Sequence, residues 1–266
     1  MLQFRKTEAW SRSEDNMKLQ LLSCLLLLGG VNAAAQAVYT PPASSAAAVE
    51  GVNFASARPI GARFSSRFRE CDTSSTCDGR PLKFNCRLDP SRNTALLRLS
   101  NGAIFFDGKM GLDADGSPLS RRNATGTDQP ETSFRFDVPG RPSVDADKIP
   151  FMVLPGGGFA EDLGLQQGDI AAVVFNGKVV FSLVADSGPK CKVGEGSIQL
   201  HEELGHRVCL ARNGRGECTR LRNTSIPKDV LYFVFPNSKI AGLTPANAKQ
   251  RIAEEGERLF NALRGR

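Results

Sequence analysis

Between residues 94 and 235 the apolar positions fall in short runs separated by turn-forming residues, the pattern of a chain built mainly from β-strands. Runs 94–99 and 103–106 flank Ser100-Asn101-Gly102 and read as a hairpin. Runs 132–136 and 149–154 read as further strands, the second stopped by Pro155-Gly156-Gly157-Gly158. The clearest signal is Asn176-Gly177 between the apolar runs 170–175 and 178–185, because Asn-Gly supplies the two positive φ angles of a tight hairpin turn. Both of these runs are apolar almost throughout, so both of their faces are expected to be covered. The two-residue turn pairs Phe175 with Lys178 and, counting outward, Asp169 with Val184. Asp169 and Asp186 then share a face at the open end of the hairpin, as diagonal neighbours about 7–8 Å apart. Run 230–235 is one more strand. The period then changes. Ala248, Ile252, Leu259 and Leu263 form a helical stripe. Thr244 serves as cap, Pro245 sits at the first helical position and Gly265 lies near the end, so a helix is expected at about 245–264. The expectation is a mainly β barrel or sandwich with a C-terminal helix.

The N-terminus follows another logic. Met17-Lys18, a leucine-rich stretch and the small-residue run Ala33-Ala34-Ala35-Gln36-Ala37 have the form of an export signal. This assigns residues 1–37 to a signal peptide, with Met17 as its expected start and Cys24 within it. The apolar stretch is short for a bilayer span. Residues 38–66, rich in Ala, Ser and Pro, read as a tether, and residues 67–266 as a single catalytic domain. Beyond the signal the six cysteines Cys71, Cys77, Cys86, Cys191, Cys209 and Cys218 remain. Their even number and the lack of close Cys-x-x-Cys pairs indicate disulfides, not structural zinc. An extracellular protein, or a periplasmic one in a Gram-negative host, is expected, free of the membrane after cleavage and monomeric. Asn123 and Asn223 begin glycosylation sequons. The net charge is +6 over 266 residues, with 7% aromatics. The basic residues are scattered and not interleaved with aromatics, which argues against a nucleic-acid partner.

The chemistry narrows by elimination. His201-Glu202-Glu203-Leu204-Gly205-His206 resembles H-E-x-x-H, but its second histidine comes one residue late, a rotation of about 100° around a helix. The chain has two histidines in all, which disfavours a three-histidine zinc site. No G-x-S-x-G, G-x-G-x-x-G or phosphate loop occurs. No metal or other cofactor is expected. Carboxylates remain. Asp113 and Asp115 lie in a turn-rich stretch, 107–130, read as a long loop. Asp169 follows Gly168 and reads as a turn aspartate that bonds nearby amides. Asp186 ends an apolar strand, where hydrophobic walls can raise a carboxyl pKa. Nine residues on stands Glu195, across a loop with two glycines, a proline and Cys191. A disulfide there would hold the pair at the fixed separation that glycosidic cleavage requires.

At these residues the sequence resembles the fungal-type chitosanases, glycoside hydrolase family seventy-five. The resemblance runs from about 103 to 235. It rests on Met110-Gly111-Leu112-Asp113-Ala114-Asp115-Gly116-Ser117-Pro118, Glu131-Thr132-Ser133-Phe134-Arg135, Ile149-Pro150-Phe151-Met152-Val153-Leu154-Pro155, Leu165-Gln166-Gln167-Gly168-Asp169-Ile170, Ala185-Asp186-Ser187-Gly188 and Val193-Gly194-Glu195-Gly196-Ser197. It implies endo-hydrolysis of chitosan at β-1,4-linked glucosamine, with inversion and without a metal. Asp186 and Glu195 would be the catalytic pair; our assignment takes Glu195 as general acid and Asp186 as general base, and the sequence is equally compatible with the reverse. Asp113 and Asp115 would bind substrate ammonium groups, with Glu131 and His201 as further substrate contacts. The Gly168-Asp169 turn also resembles that of double-psi barrels, implying a six-stranded double-psi-like core with Asp169 as scaffold. Two features sit awkwardly with this reading. The cysteines at 71, 77 and 86 precede the resemblance, and Lys190 and Lys192 stand inside the catalytic loop of an enzyme whose polymer is cationic. The alternatives are a non-catalytic polysaccharide-binding barrel and a barrel enzyme acting on peptidoglycan glycans.

Overall fold

The computed structural model describes residues 38–82, 86, 94–122 and 129–266. The expected export segment and Asn123 of the first sequon lie outside these residues. In chain order the described part begins with β1 (Arg58–Pro59), α1 (Ala62–Ser74), the small hairpin β2 (Thr76–Cys77) and β3 (Arg80–Pro81), and β4 (Leu96–Arg98). It continues with β5 (Ile104–Asp113), α2 (Pro118–Arg122), β6 (Phe151–Pro155), α3 (Phe159–Leu163), β7 (Ile170–Phe175), β8 (Lys178–Gly188) and β9 (Glu195–Ser197). Then come α4 (Ile198–Glu203), the hairpin β10 (Cys209–Arg212) and β11 (Cys218–Leu221), the long β12 (Ser225–Phe235), and α5 (Ala248–Leu263).

Six of these strands close a barrel. The hydrogen-bonded order β5, β12, β7, β8, β6, β9 returns to β5 through a β5–β9 pairing. The pairs β6–β8 and β5–β9 are parallel, and the others around the ring are antiparallel. The expected six-stranded barrel is therefore present, with the C-terminal helix and three disulfides, Cys71–Cys86, Cys77–Cys191 and Cys209–Cys218. β12 shows why the strands read as unbroken apolar runs. Val230, Tyr232 and Val234 belong to one apolar cluster, with Ile104, Phe106, Ala171 and Val173. Leu231, Phe233 and Phe235 belong to another, with Val49, Phe54 and Phe260. Both faces are dry, so alternation along the strand vanishes. The Asn176-Gly177 hairpin has the expected register, Phe175 opposite Lys178, and the Val184 amide donates to the Asp169 carbonyl at 2.8 Å.

Three expectations are corrected. Residues 38–66 are not a tether. Val49 and Phe54 are buried, and the Tyr39 ring lies 4.7 Å from Phe105 while its hydroxyl donates to Asp107. These anchors are too widely spaced to show a period, so composition concealed them. Residues 132–136 form no strand. Phe134 N–H donates to Ala185 O at 2.9 Å and Phe136 N–H to Pro142 O at 3.0 Å, with a single bridge from Arg135 to Ser143. Finally, β5 runs on to Asp113 where a loop was expected. Its polar residues Asp107 and Lys109 are buried and satisfied, Asp107 by Tyr39 and the Ala95 amide, Lys109 by Asp72 and the Cys86 carbonyl. The C-terminal helix begins at Ala248, three residues later than expected, with Asn247 at its N-cap and Pro245 in the turn before it. Asn247 N–H donates to Thr244 Oγ1 and Thr244 N–H to Asn247 Oδ1, a reciprocal cap with Asn in the place usually held by Glu.

Candidate active site

Strand β6 sets the geometry of the site. It lies between β8 and β9, and Val153 is the register partner of Asp186 on the first and of Glu195 on the second. The two carboxylate residues thus stand level with each other, one strand apart on either side. Neighbouring strands are about 4.8 Å apart, which separates the two backbones by about 9–10 Å. β9 in turn pairs in parallel with β5, Gly111 opposite Glu195 and Asp113 opposite Ser197. Barrel closure thereby brings the Asp113 stretch, 73 positions from Asp186 in sequence, to the same end.

Asp186 is 5% exposed. Its Oδ1 accepts the Ser187 amide at 2.7 Å, the Ser133 amide at 3.2 Å and the Ser133 hydroxyl. Its Oδ2 is buried and has no hydrogen-bond partner among the described residues. Carboxylate oxygens of Asp113, Asp115 and Asp186 lie within 4.8 Å of one another. Removal from water, followed by the charges of Asp115, Glu195 and Asp186, pushes Asp113 well above the usual carboxylate range. The stretch carrying it, at the end of β5, is tied down locally. Asp115 N–H donates to Asp113 Oδ1 at 2.7 Å and Gln129 N–H to Asp115 Oδ1 at 2.6 Å. Such a carboxylate group can attract a cation, or it can share protons.

Glu195 is held from several sides. Its Oε1 accepts from Lys192 Nζ at 2.6 Å. Gly194 before it has φ +78°, and a Cβ there would come within 2.0 Å of the Lys109 carbonyl, so only glycine lets the loop lie this close to β5. Cys191 joins Cys77 in the β2–β3 hairpin, and Lys190 pairs with Asp78 of the same hairpin. The two lysines of the loop are thus both engaged with carboxylates. The N-terminal cysteines find their use here as well. They carry the α1 region onto the loop between the two candidate catalytic residues.

The structure brings together Asp113, Asp115, Asp186 and Glu195 and sets the other expected residues apart. Asp169 is fully buried, its Oδ2 accepting from Gln166 N–H at 2.9 Å and its Oδ1 from Ser238 N–H at 2.9 Å, as suits a turn scaffold. His201 is corrected. It is fully buried on α4, with Nε2 against the Gly111 carbonyl at 3.2 Å, and cannot touch a polymer from there. Burial lowers its pKa to about 4, so it is neutral. Its ring lies 5.3 Å from that of His206. Glu131 is exposed and pairs with Arg135, two residues from the group that actually touches Asp186, which is Ser133. Ser133 escaped the sequence reading because the Glu131–Arg135 stretch offered a charged residue that looked more like a ligand. The available signal was the small polar residue between the apolar-packed Thr132 and Phe134.

A search of curated proteins finds no match. The family model for fungal chitosanases of glycosyl hydrolase group 75 matches residues 110–264, more than half of the chain. That span contains all four clustered carboxylates and every strand of the barrel, beginning within β5. It excludes α1 and the β2–β3 hairpin that clamp the loop. The chain therefore belongs to the fungal chitosanases of glycosyl hydrolase group 75, and is a glycoside hydrolase acting on chitosan.

Proposed function

We propose that the protein is an exported, endo-acting, inverting chitosanase with Asp186 as general base and Glu195 as general acid. The observation that carries this reading is the shared partner Val153. A carboxylate on each neighbouring strand, with backbones about 9–10 Å apart, suits the separation of about 6.5–9.5 Å that leaves room for a water between the pair. In this reading Asp186 takes the proton of the attacking water, and Glu195 delivers one to the leaving glycosidic oxygen. Asp113 and Asp115 receive the sugar ammonium groups, with Glu131 as an outer carboxylate. Three disulfides and the signal-like segment 1–37 support export.

One observation favours exchanged roles: Lys192 Nζ pairs with Glu195 Oε1 at 2.6 Å. Glu195→Gln and Asp186→Asn separate the two assignments. Each is expected to lower reducing-end release from chitosan by at least about 10³-fold, with circular dichroism unchanged. On a chito-oligosaccharide bearing a nitrophenol leaving group, which departs without protonation, the acid variant regains activity and the base variant does not. Recovery in Asp186→Asn alone exchanges the roles. Turnover near wild type in either variant on chitosan removes that residue from the catalytic pair.

A further inference from the structure

We propose that Ser133 is a positioning residue for Asp186, its hydroxyl holding one carboxylate oxygen so that the other is the one presented for catalysis. The proposal rests on the reading of Asp186 as catalytic and goes beyond it. Its first ground is asymmetry. All three donors found on Asp186 converge on Oδ1, while Oδ2 is buried and bare. A carboxylate can rotate about its last bond by a half turn, so an unbraced aspartate has two equivalent oxygens. Here they are made inequivalent. The bare oxygen is the one left for water or substrate, and Asp186 as a residue stands in a group with Asp113 and Asp115.

The second ground is how firmly Ser133 is held. Its neighbours Thr132 and Phe134 are buried while Ser133 itself is exposed at the rim. Thr132 Oγ1 donates to the Phe134 carbonyl at 3.0 Å and accepts the Val144 amide at 3.0 Å. Phe134 N–H donates to the Ala185 carbonyl, one residue before Asp186, at 2.9 Å. The Phe134 ring packs edge-on against Phe136 at 5.5 Å, inside an apolar cluster that also holds Val153 and Ala185. The segment is a bracket fixed to the end of β8. It delivers an amide and a hydroxyl to the same oxygen. Ser187, although adjacent to Asp186, contributes its amide at 2.7 Å. The Ser133 hydroxyl is the one side-chain donor to Asp186 among the described residues.

The test compares Ser133→Ala, Ser133→Thr and Asp186→Asn on fully deacetylated chito-oligosaccharide. Ser133→Ala keeps the backbone amide and removes only the hydroxyl, at an exposed position where the fold tolerates the change. Its kcat is expected to fall about 10- to 100-fold with KM within about twofold. Ser133→Thr, which keeps a hydroxyl on the same carbon, restores kcat. A wild-type kcat in Ser133→Ala overturns the proposal. So does a loss of activity that tracks a lower melting temperature and is not restored by threonine. Asp186→Asn separates this outcome from the parent reading. If that variant is active, the assignment of Asp186 fails; if it is inactive while Ser133→Ala is normal, only the role of Ser133 fails.

Discussion

The two strands of one hairpin carry, at its open end, aspartates with opposite fates. Asp169, just ahead of β7, is saturated from close by. The Gln166 amide in its own turn and the Ser238 amide beyond β12 take both of its oxygens. Asp186, near the end of β8, is held on one oxygen by Ser133 and Ser187, and its other oxygen is bare. The loop that follows Asp186 depends on partners from elsewhere: Cys77 and Asp78 for Cys191 and Lys190, and the Lys109 carbonyl for the close approach of Gly194. A buried polar group that is fully bonded stabilises a fold. One left partly unbonded is a cost that persists where function uses it. The contrast separates scaffold from site more sharply than burial does, because both aspartates are almost inaccessible.

The comparison can be broken most forcefully at the clamp. Replacing Cys77 and Cys191 by serine opens a link spanning 114 residues, and is expected to cost about 4 kcal/mol of stability. On the catalytic side kcat should fall at temperatures where the barrel is still folded, since Glu195 sits four residues from the clamp. A melting curve beside a kcat measurement at 20 °C checks this. An undiminished kcat would show that the loop holds its shape unaided. Next in size is Asp169→Ala, which removes the carboxylate that accepts two part-buried amides and should cost about 3 kcal/mol. For a domain of this size that is a fall of about 6–12 °C in melting temperature. Activity per folded molecule should stay near wild type, and a selective loss of kcat would erase the distinction between scaffold and site. The smallest effect concerns acid sensitivity behind β9. The folded-state pKa of His201 is lowered by burial to about 4. The native state then binds fewer protons than the unfolded chain between about pH 4 and 6.5, and stability is lost as pH falls through that window. From pH 7.5 to 5 the loss is about 2 kcal/mol. His201→Gln should lack this slope in urea midpoints measured at the two pH values.

Much of the frame around the candidate site was legible in the chain. The Asn-Gly turn dictated the β7–β8 register, because a two-residue turn with positive φ at Asn176 and Gly177 admits one pairing. Asp186 at the strand end and Asp169 in a turn followed from that register. What escaped was carried by isolated contacts. Val49 and Phe54 anchor an arm whose composition reads as unstructured. His201 looked like a cleft residue because it is polar, yet its whole ring is enclosed. Ser133 has no charge and no period to mark it.

By itself the sequence determined the mainly β class, the central hairpin, the capped C-terminal helix and the identity of the acidic residues that gather at one end, because these depend on local turn chemistry, periodicity and motif. Only the tertiary structure decided that β6 stands between Asp186 and Glu195, that Cys77 pairs with Cys191, and that Ser133 and not Glu131 meets the carboxylate. Those facts depend on barrel closure, which brings together positions such as 113 and 186, or 77 and 191, that no local rule connects.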